Sequence, residues 1–127
     1  MAVDPINEFI KNFATITYKG ADIDSNTVTF NIKDVPPTLV KSTTFATEPT
    51  TGDVIPWKIV IKNNNPFAIT MIAFSDVLDL NTVYLAGSFK VNGTTQTPTA
   101  TSPAVTYTIS SIVPNGTATV EFSVTVL

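Results

Sequence analysis

Residues 12–18 read NFATITY, and this stretch decides how the rest of the chain is read. Ala14, Ile16 and Tyr18 fall on one face of an extended strand, and Thr15 and Thr17 on the other. Counting back by two puts Asn12 on the apolar face, where an uncharged amide needs a partner. A core strand headed by a polar residue, this near the N-terminus, raises two questions: what Asn12 meets, and whose core the strand fills.

Outward from that strand, Met1–Phe9 reads as an arm, with room for a short helical turn. Thr27–Ile32 is the next strand, with Val28, Phe30 and Ile32 alternating against Thr27, Thr29 and Asn31. The polar stretch KGADIDSN joins the two strands as a loop, so the pair is a hairpin with one apolar face. Pro36-Pro37 in KDVPPT then forms a stiff extended hinge. It divides an arm and hairpin, residues 1–35, from a body, residues 36–127.

In the body, Leu39–Phe45 is a strand with Leu39, Lys41, Thr43 and Phe45 on one face. Ile55, Trp57, Ile59 and Ile61 point inward from the next, with Pro56 early enough for its missing donor to be tolerated. NNNP turns the chain into Phe67–Asp76, where Thr70, Ile72, Phe74 and Asp76 share a parity. Further strands are expected at Val83–Val91, Val105–Ile112 and Thr117–Val126. Ala118, Val120, Phe122 and Val124 face inward from the last of these. About eight short strands separated by Gly, Pro and Asn turns describe an all-β chain folded as an Ig-like Greek-key β-sandwich.

Composition bounds the function. The 127 residues suit one domain with a real core; 43% are hydrophobic and 13% charged, a globular balance. A net charge of −3, with seven lysines and no arginine or histidine, argues against nucleic-acid binding. No apolar run reaches the roughly 18 residues of a membrane span. With neither His nor Cys, the common transition-metal ligands, the usual general base and a thiol nucleophile are missing. No cofactor and no small-molecule substrate is expected, and nothing resembles a catalytic triad, P-loop or dinucleotide fingerprint. Twenty-two threonines favour extended chain. MAVDPINEFI has neither the basic nor the apolar region of a secretory signal, which points to assembly without classical secretion or to a trimmed chain.

The run TTGDVIPWKIVIKNNNPFAITMIAFSDVLD resembles the core of the DUF11 repeat of bacterial surface proteins: a Gly-Asp turn, a strand, an Asn turn, and a strand ending in Asp near a leucine. YLAGSFKVNGT is similar to the following segment of that repeat, and SIVPNGTATVEFSVTV to its closing strands. Trp57 stands where the family usually has Tyr, and Asn115-Gly116 replaces a Pro-Gly turn. In tandem arrays of the family, a motif like NFATITY and a second strand end each repeat, and a motif like PTLVK begins the next. The resemblance therefore implies an offset chain. Its hairpin, carrying Ala14, Ile16, Tyr18, Val28, Phe30 and Ile32, either closes its own sandwich or completes the sheet of a neighbouring subunit, whose C-terminal edge at Val126-Leu127 would otherwise be bare.

Asn12, Lys41 and Asp76 take inward positions by parity, and each stands at a motif position. A lysine, an asparagine and an acid gathered in an apolar core can form an isopeptide bond. Burial favours the neutral, nucleophilic amine and a protonated acid, which polarises the carboxamide and relays protons as ammonia leaves. The resemblance points the same way, since such bonds occur in related adhesin and pilin sandwiches. The alternatives are an uncrosslinked cluster, with Asn12 hydrogen-bonded to a Lys41–Asp76 pair, and a lysine whose amine snorkels into water.

Weaker candidates have structural readings. Asp53 suits a turn, and Asp22 and Asp24 a solvated loop rather than a calcium site. Trp57 suits the core rather than a sugar platform, and Asn92 and Asn115 suit tight turns rather than glycosylation. The expected function is a structural subunit and not an enzyme: a homopolymer of an extracellular or spore-surface filament, built by hairpin donation. A monomeric spacer module and a carbohydrate-binding adhesin domain are the alternatives.

Overall fold

The computed structural model of the chain describes residues 7–127, with residues 7–10 and 30–33 described as backbone. The chain is all-β, with twelve strands and no helix among the described residues. It divides into two compact units, Met1–Pro36 and Pro37–Leu127.

The described part of the first unit is one long hairpin in two ladders. Strands β2 (Thr15–Tyr18) and β3 (Ala21–Asp24) pair antiparallel, with Tyr18 opposite Ala21. Lys19 and Gly20 close the turn at φ 49° and 80°, the paired positive angles of a two-residue turn whose twist matches the strands. Strands β1 (Asn7–Asn12) and β4 (Val28–Lys33) continue the hairpin, with Asn12 opposite Val28. Between the ladders, the Ser25 amide donates to the Ala14 carbonyl at 2.7 Å and the Ala14 amide to Ser25 Oγ at 2.9 Å.

From Ala14–Ser25 to Asn12–Val28, one strand advances two residues and the other three, which is a β-bulge. The extra residue explains the pattern of the return strand. Its apolar positions are odd-numbered at Ala21 and Ile23 and even-numbered from Val28 onward, yet both sets oppose the even-numbered face of Asn12, Ala14, Ile16 and Tyr18.

Three expectations are corrected here. ADID, read as loop, is a strand, because Lys19-Gly20 alone makes the turn. Residues 7–9, read as the end of the arm, belong to the laddered strand Asn7–Asn12, while Met1–Ile6 lie outside the described residues. The expected single strand Asn12–Tyr18 is also split at Phe13-Ala14 by the bulge.

The second unit stacks two sheets. In the larger, β5 (Thr38–Ser42) pairs with β6 (Val54–Lys62), and β6 with β12 (Thr117–Val126). The far side of β12 takes β8 (Thr82–Tyr84) and β9 (Lys90–Val91), and β9 carries β10 (Thr94–Thr95). The smaller sheet is the antiparallel pair β7 (Ile69–Val77) and β11 (Ala104–Ile112). The C-terminal strand is thus flanked on both sides, and the expectation of a bare edge at Val126-Leu127 is wrong. Val126 lies opposite Thr82 in the ladder, and the Leu127 amide donates to the Asn81 carbonyl at 2.9 Å.

Alternation builds the core as expected from β6 and β12: Ile59, Ile61, Ala118, Val120, Phe122 and Val124 are buried, with Ile55 and Trp57 packed against them. Pro56 is tolerated because the β5 ladder begins only at Lys58. The Pro56 carbonyl instead accepts from the Thr43 hydroxyl at 2.5 Å. Two expectations fail locally. The strand Val83–Val91 is broken, and across the gap the Ser123 amide donates to Ser88 Oγ at 3.0 Å. The break drops Phe89 into the centre of the core, fully buried. In β7, Met71 has φ 54°, a left-handed angle uncommon for a side chain of its kind. Parity reverses there, so Ile69 and Ile72 both pack on the core while Thr70 is exposed.

NNNP does more than turn the chain. Asn63 is fully buried, and its Nδ2 donates to the carbonyls of Phe67, Ile112 and Val113 at 2.8, 3.2 and 3.0 Å. Its Oδ1 accepts from the Asn65 amide at 2.9 Å. One carboxamide thus ties the β6–β7 turn to the β11–β12 turn. Asn63→Ala strands the buried Ile112 carbonyl and two partly buried ones and is expected to cost about 2–4 kcal/mol, read as a lowered urea midpoint at an unchanged slope.

Candidate functional site

Lys41 lies opposite Ile59 in the β5–β6 ladder, which puts it on the inner face of the larger sheet beside Leu39. Asp76 follows Ile72 and Phe74 on the inner face of β7, opposite the buried Val105. The two sheets therefore aim a cation and an anion at each other. Lys41 Nζ and Asp76 Oδ2 are 2.7 Å apart, a short charge-assisted hydrogen bond. Trp57, two residues before Ile59 on the same face, holds its ring centroid 4.3 Å from the same Nζ, within cation–π range. The site opens on a cleft of about 170 Å³ lined by Lys41, Ile55, Trp57, Asp76, Val77 and Leu78.

Burial is uneven. The Asp76 side chain is 12% exposed, but that of Lys41 is 41% exposed, so the parity expectation of a buried lysine is corrected. The cause lies in the sheets. Among the described residues strand β5 is an edge, and the smaller sheet has two strands, too few to cover it. Leu39 shows the same effect: it shares the inner face with the buried Ile61 yet is 61% exposed.

The arrangement has chemical capacity. One proton passed along the 2.7 Å bond turns the ion pair into a neutral amine beside a carboxylic acid. The amine is then a nucleophile, and the acid a proton donor within reach of whatever the amine attacks.

Asn12, the third expected member, is the last residue of β1 in the first unit and is exposed. Among the expected donor residues, Ala14, Ile16, Tyr18 and Val28 are exposed as well, with Ile16 at 63% and Tyr18 at 60%. The side chains of Phe30 and Ile32 lie outside the described residues. Ile23, which sequence reasoning left in a loop, sits opposite Ile16 and enlarges the exposed apolar face. Alternation with isoleucines assigns Trp57 to the core, and it packs there partly buried. The missed signal was the inward parity of Lys41 on a neighbouring strand, which brings an ammonium to that ring.

Other candidates resolve as structure. Asp53 Oδ2 accepts from the Thr50 amide at 2.8 Å within its turn. The carboxylates of Asp24 and Asp22 accept from the Thr15 and Thr17 hydroxyls at 2.7 and 2.8 Å, giving the hairpin a polar face opposite its apolar one. Asn92 and Asn115 take left-handed turn angles of 51° and 54°. Asn92 Oδ1 also accepts from the Thr119 amide. Compared with known proteins, the chain matches no family model, no curated protein and no solved structure.

Proposed function

We propose that this chain is the structural subunit of a filament, in which the hairpin of one copy completes the smaller sheet of the next. The observation that carries the reading is a pair of complementary deficits in one sequence. The hairpin presents Ile16, Tyr18 and Ile23 to solvent at 63%, 60% and 49% exposure, and the body has a two-stranded sheet that leaves Leu39 61% exposed on its inner face. A lone two-stranded hairpin is marginal in water, and burying each large apolar side chain is worth about 1.5–3 kcal/mol. Transfer of the hairpin to another copy supplies that burial, and repeated head to tail it gives an open chain.

Asn12 of the donated hairpin meets Lys41 and Asp76 of the recipient. Lys41 passes a proton to Asp76, and its neutral amine attacks the Asn12 carboxamide carbon. A new C–N bond forms as the bond to Asn12 Nδ2 breaks. Asp76 returns the proton to the departing nitrogen and takes up the second proton of the attacking nitrogen, so one ammonia leaves per junction, the new amide is neutral and Asp76 ends as the carboxylic acid. The amide locks the filament covalently. The resemblance to the DUF11 repeat supports both the Ig-like body and an extracellular or spore-surface setting.

Native mass spectrometry over a wide concentration range tests polymerisation. Wild-type chains are expected as a series of multiples. Ile16→Asp combined with Ile23→Asp, which charges the apolar face of the hairpin, is expected as monomer with the circular dichroism of the body unchanged. Wild-type monomer at every concentration would overturn the filament and favour a self-closing spacer module.

A further inference from the structure

We infer that the acceptor edge for the donated hairpin is β7, and that the strand which adds to it is the Lys11–Phe13 segment of a second copy. The inference rests on the donation reading above and goes on to say where the hairpin docks. Two open edges lie near the Lys41–Asp76 pair, β5 in the larger sheet and β7 in the smaller. Among the described residues β7 is laddered only to β11. The far edge of β11 is already partly occupied, because Thr106 bridges to Ala100 through bonds from the Thr99 and Thr106 amides. Among the described residues the edge of β7 has no such cover, and two of its side chains, Met71 and Val77, are 72% and 74% exposed.

The uncovered inner face separates the two edges. The Lys41–Asp76 bond shows that β7 faces the β5 side of the larger sheet. A third strand, about 4.8 Å beyond β7, comes over β5 and covers Leu39. A strand added to β5 would instead lengthen the larger sheet and leave Leu39 open. Polar complementarity agrees with this placement. The cleft presents an ammonium and a carboxylate, and a carboxamide offers an acceptor to the first and a donor to the second.

Alternation fixes the neighbours. With Asn12 on the inner face beside Asp76, the adjacent Lys11 and Phe13 must fall on the outer face beside Ser75 and Val77. In one strand direction Phe13, 57% exposed, covers Val77; in the other it lies against Ser75. Addition to β5 would place Phe13 beside Val40 or Ser42.

The chain has no cysteine, so introduced thiols are unique. A full-length chain carrying Phe13→Cys is mixed separately with chains carrying Ser75→Cys, Val77→Cys, Val40→Cys or Ser42→Cys. After polymerisation and mild oxidation, peptide mapping finds any disulfide between copies. A disulfide with position 75 or 77, absent at 40 and 42, is the expected result and also gives the strand direction. A disulfide at 40 or 42 in its place overturns the β7 edge and moves the acceptor to β5, leaving the filament intact. Polymers with no disulfide at any of the four positions overturn the docking of this segment while donation stands. Failure of every mixture and of the wild type to polymerise removes donation itself, and the acceptor edge with it.

Discussion

Phe89→Ala is expected to lower the unfolding free energy of the body by about 3–5 kcal/mol, the largest effect of any single side chain here. Phe89 has no exposed surface. Its ring centroid lies 5.2 Å from Tyr107, 6.4 Å from Phe74 and 6.5 Å from Phe122. The first two belong to the smaller sheet and the third to the larger, so one ring fills the space that both share. Its backbone lies just ahead of β9, a strand of two residues, which is too short to settle into the void. Collapse is therefore limited and the cavity cost is retained. Against a total stability of about 5–15 kcal/mol for a typical domain, the loss is severe. Val40→Ala, on the outer face and 65% exposed, is the matched control and is expected to change stability by no more than about 0.5 kcal/mol. Urea unfolding followed by fluorescence of the single Trp57 reads both.

Phe89 also marks a limit of what the residues disclosed. The fold class and the inward faces of β6 and β12 followed from strict alternation, because a ladder constrains both sides of those two strands; the apolar face of the first hairpin strand followed from alternation with a ladder on one side. Alternation failed where another local term prevailed. At Leu85–Phe89 a Gly87 turn interrupts the strand, and Ser88 replaces a lost ladder partner with its hydroxyl. At Met71 a left-handed residue reverses parity. Between Ser25 and Val28 one extra residue does so in the return strand of the hairpin. None of these has a period, so counting by two passed over them.

The candidate site was legible to the same degree. Parity placed Lys41 and Asp76 on facing positions, and they meet. It gave the direction of a side chain but not its cover, and so it missed the exposure of Lys41 at the sheet edge. It read Trp57 as packing, although the ring also covers a cation. The edge assignment of the C-terminal strand failed for a different reason. Which strands flank β12 depends on pairings such as Val124 with Tyr84 across forty residues of sequence, and no local pattern encodes them.

Lys41→Arg is expected to abolish every boiling-resistant species in denaturing electrophoresis while leaving the fold and the non-covalent polymer in place. Arginine keeps the charge, reaches Asp76 and stacks on the Trp57 ring at least as well as lysine. Its guanidinium does not surrender a proton to become an amine nucleophile, so no C–N bond to Asn12 forms and no ammonia is lost. The stability change is expected within about 1 kcal/mol, because the pair is partly exposed and such pairs contribute little. Asp76→Ala separates the two roles from the other side. The amine stays, its proton relay is removed, and Lys41, already 41% exposed, turns to water at small cost. Both variants should therefore give full-mass monomers after boiling, whereas the wild type gives a ladder short of one ammonia per junction. A ladder that survives Lys41→Arg would mean that the attacking nitrogen belongs to another lysine. A wild-type chain that boils to full-mass monomer would leave Lys41 and Asp76 as an ion pair under a tryptophan, docking the hairpin by charge alone.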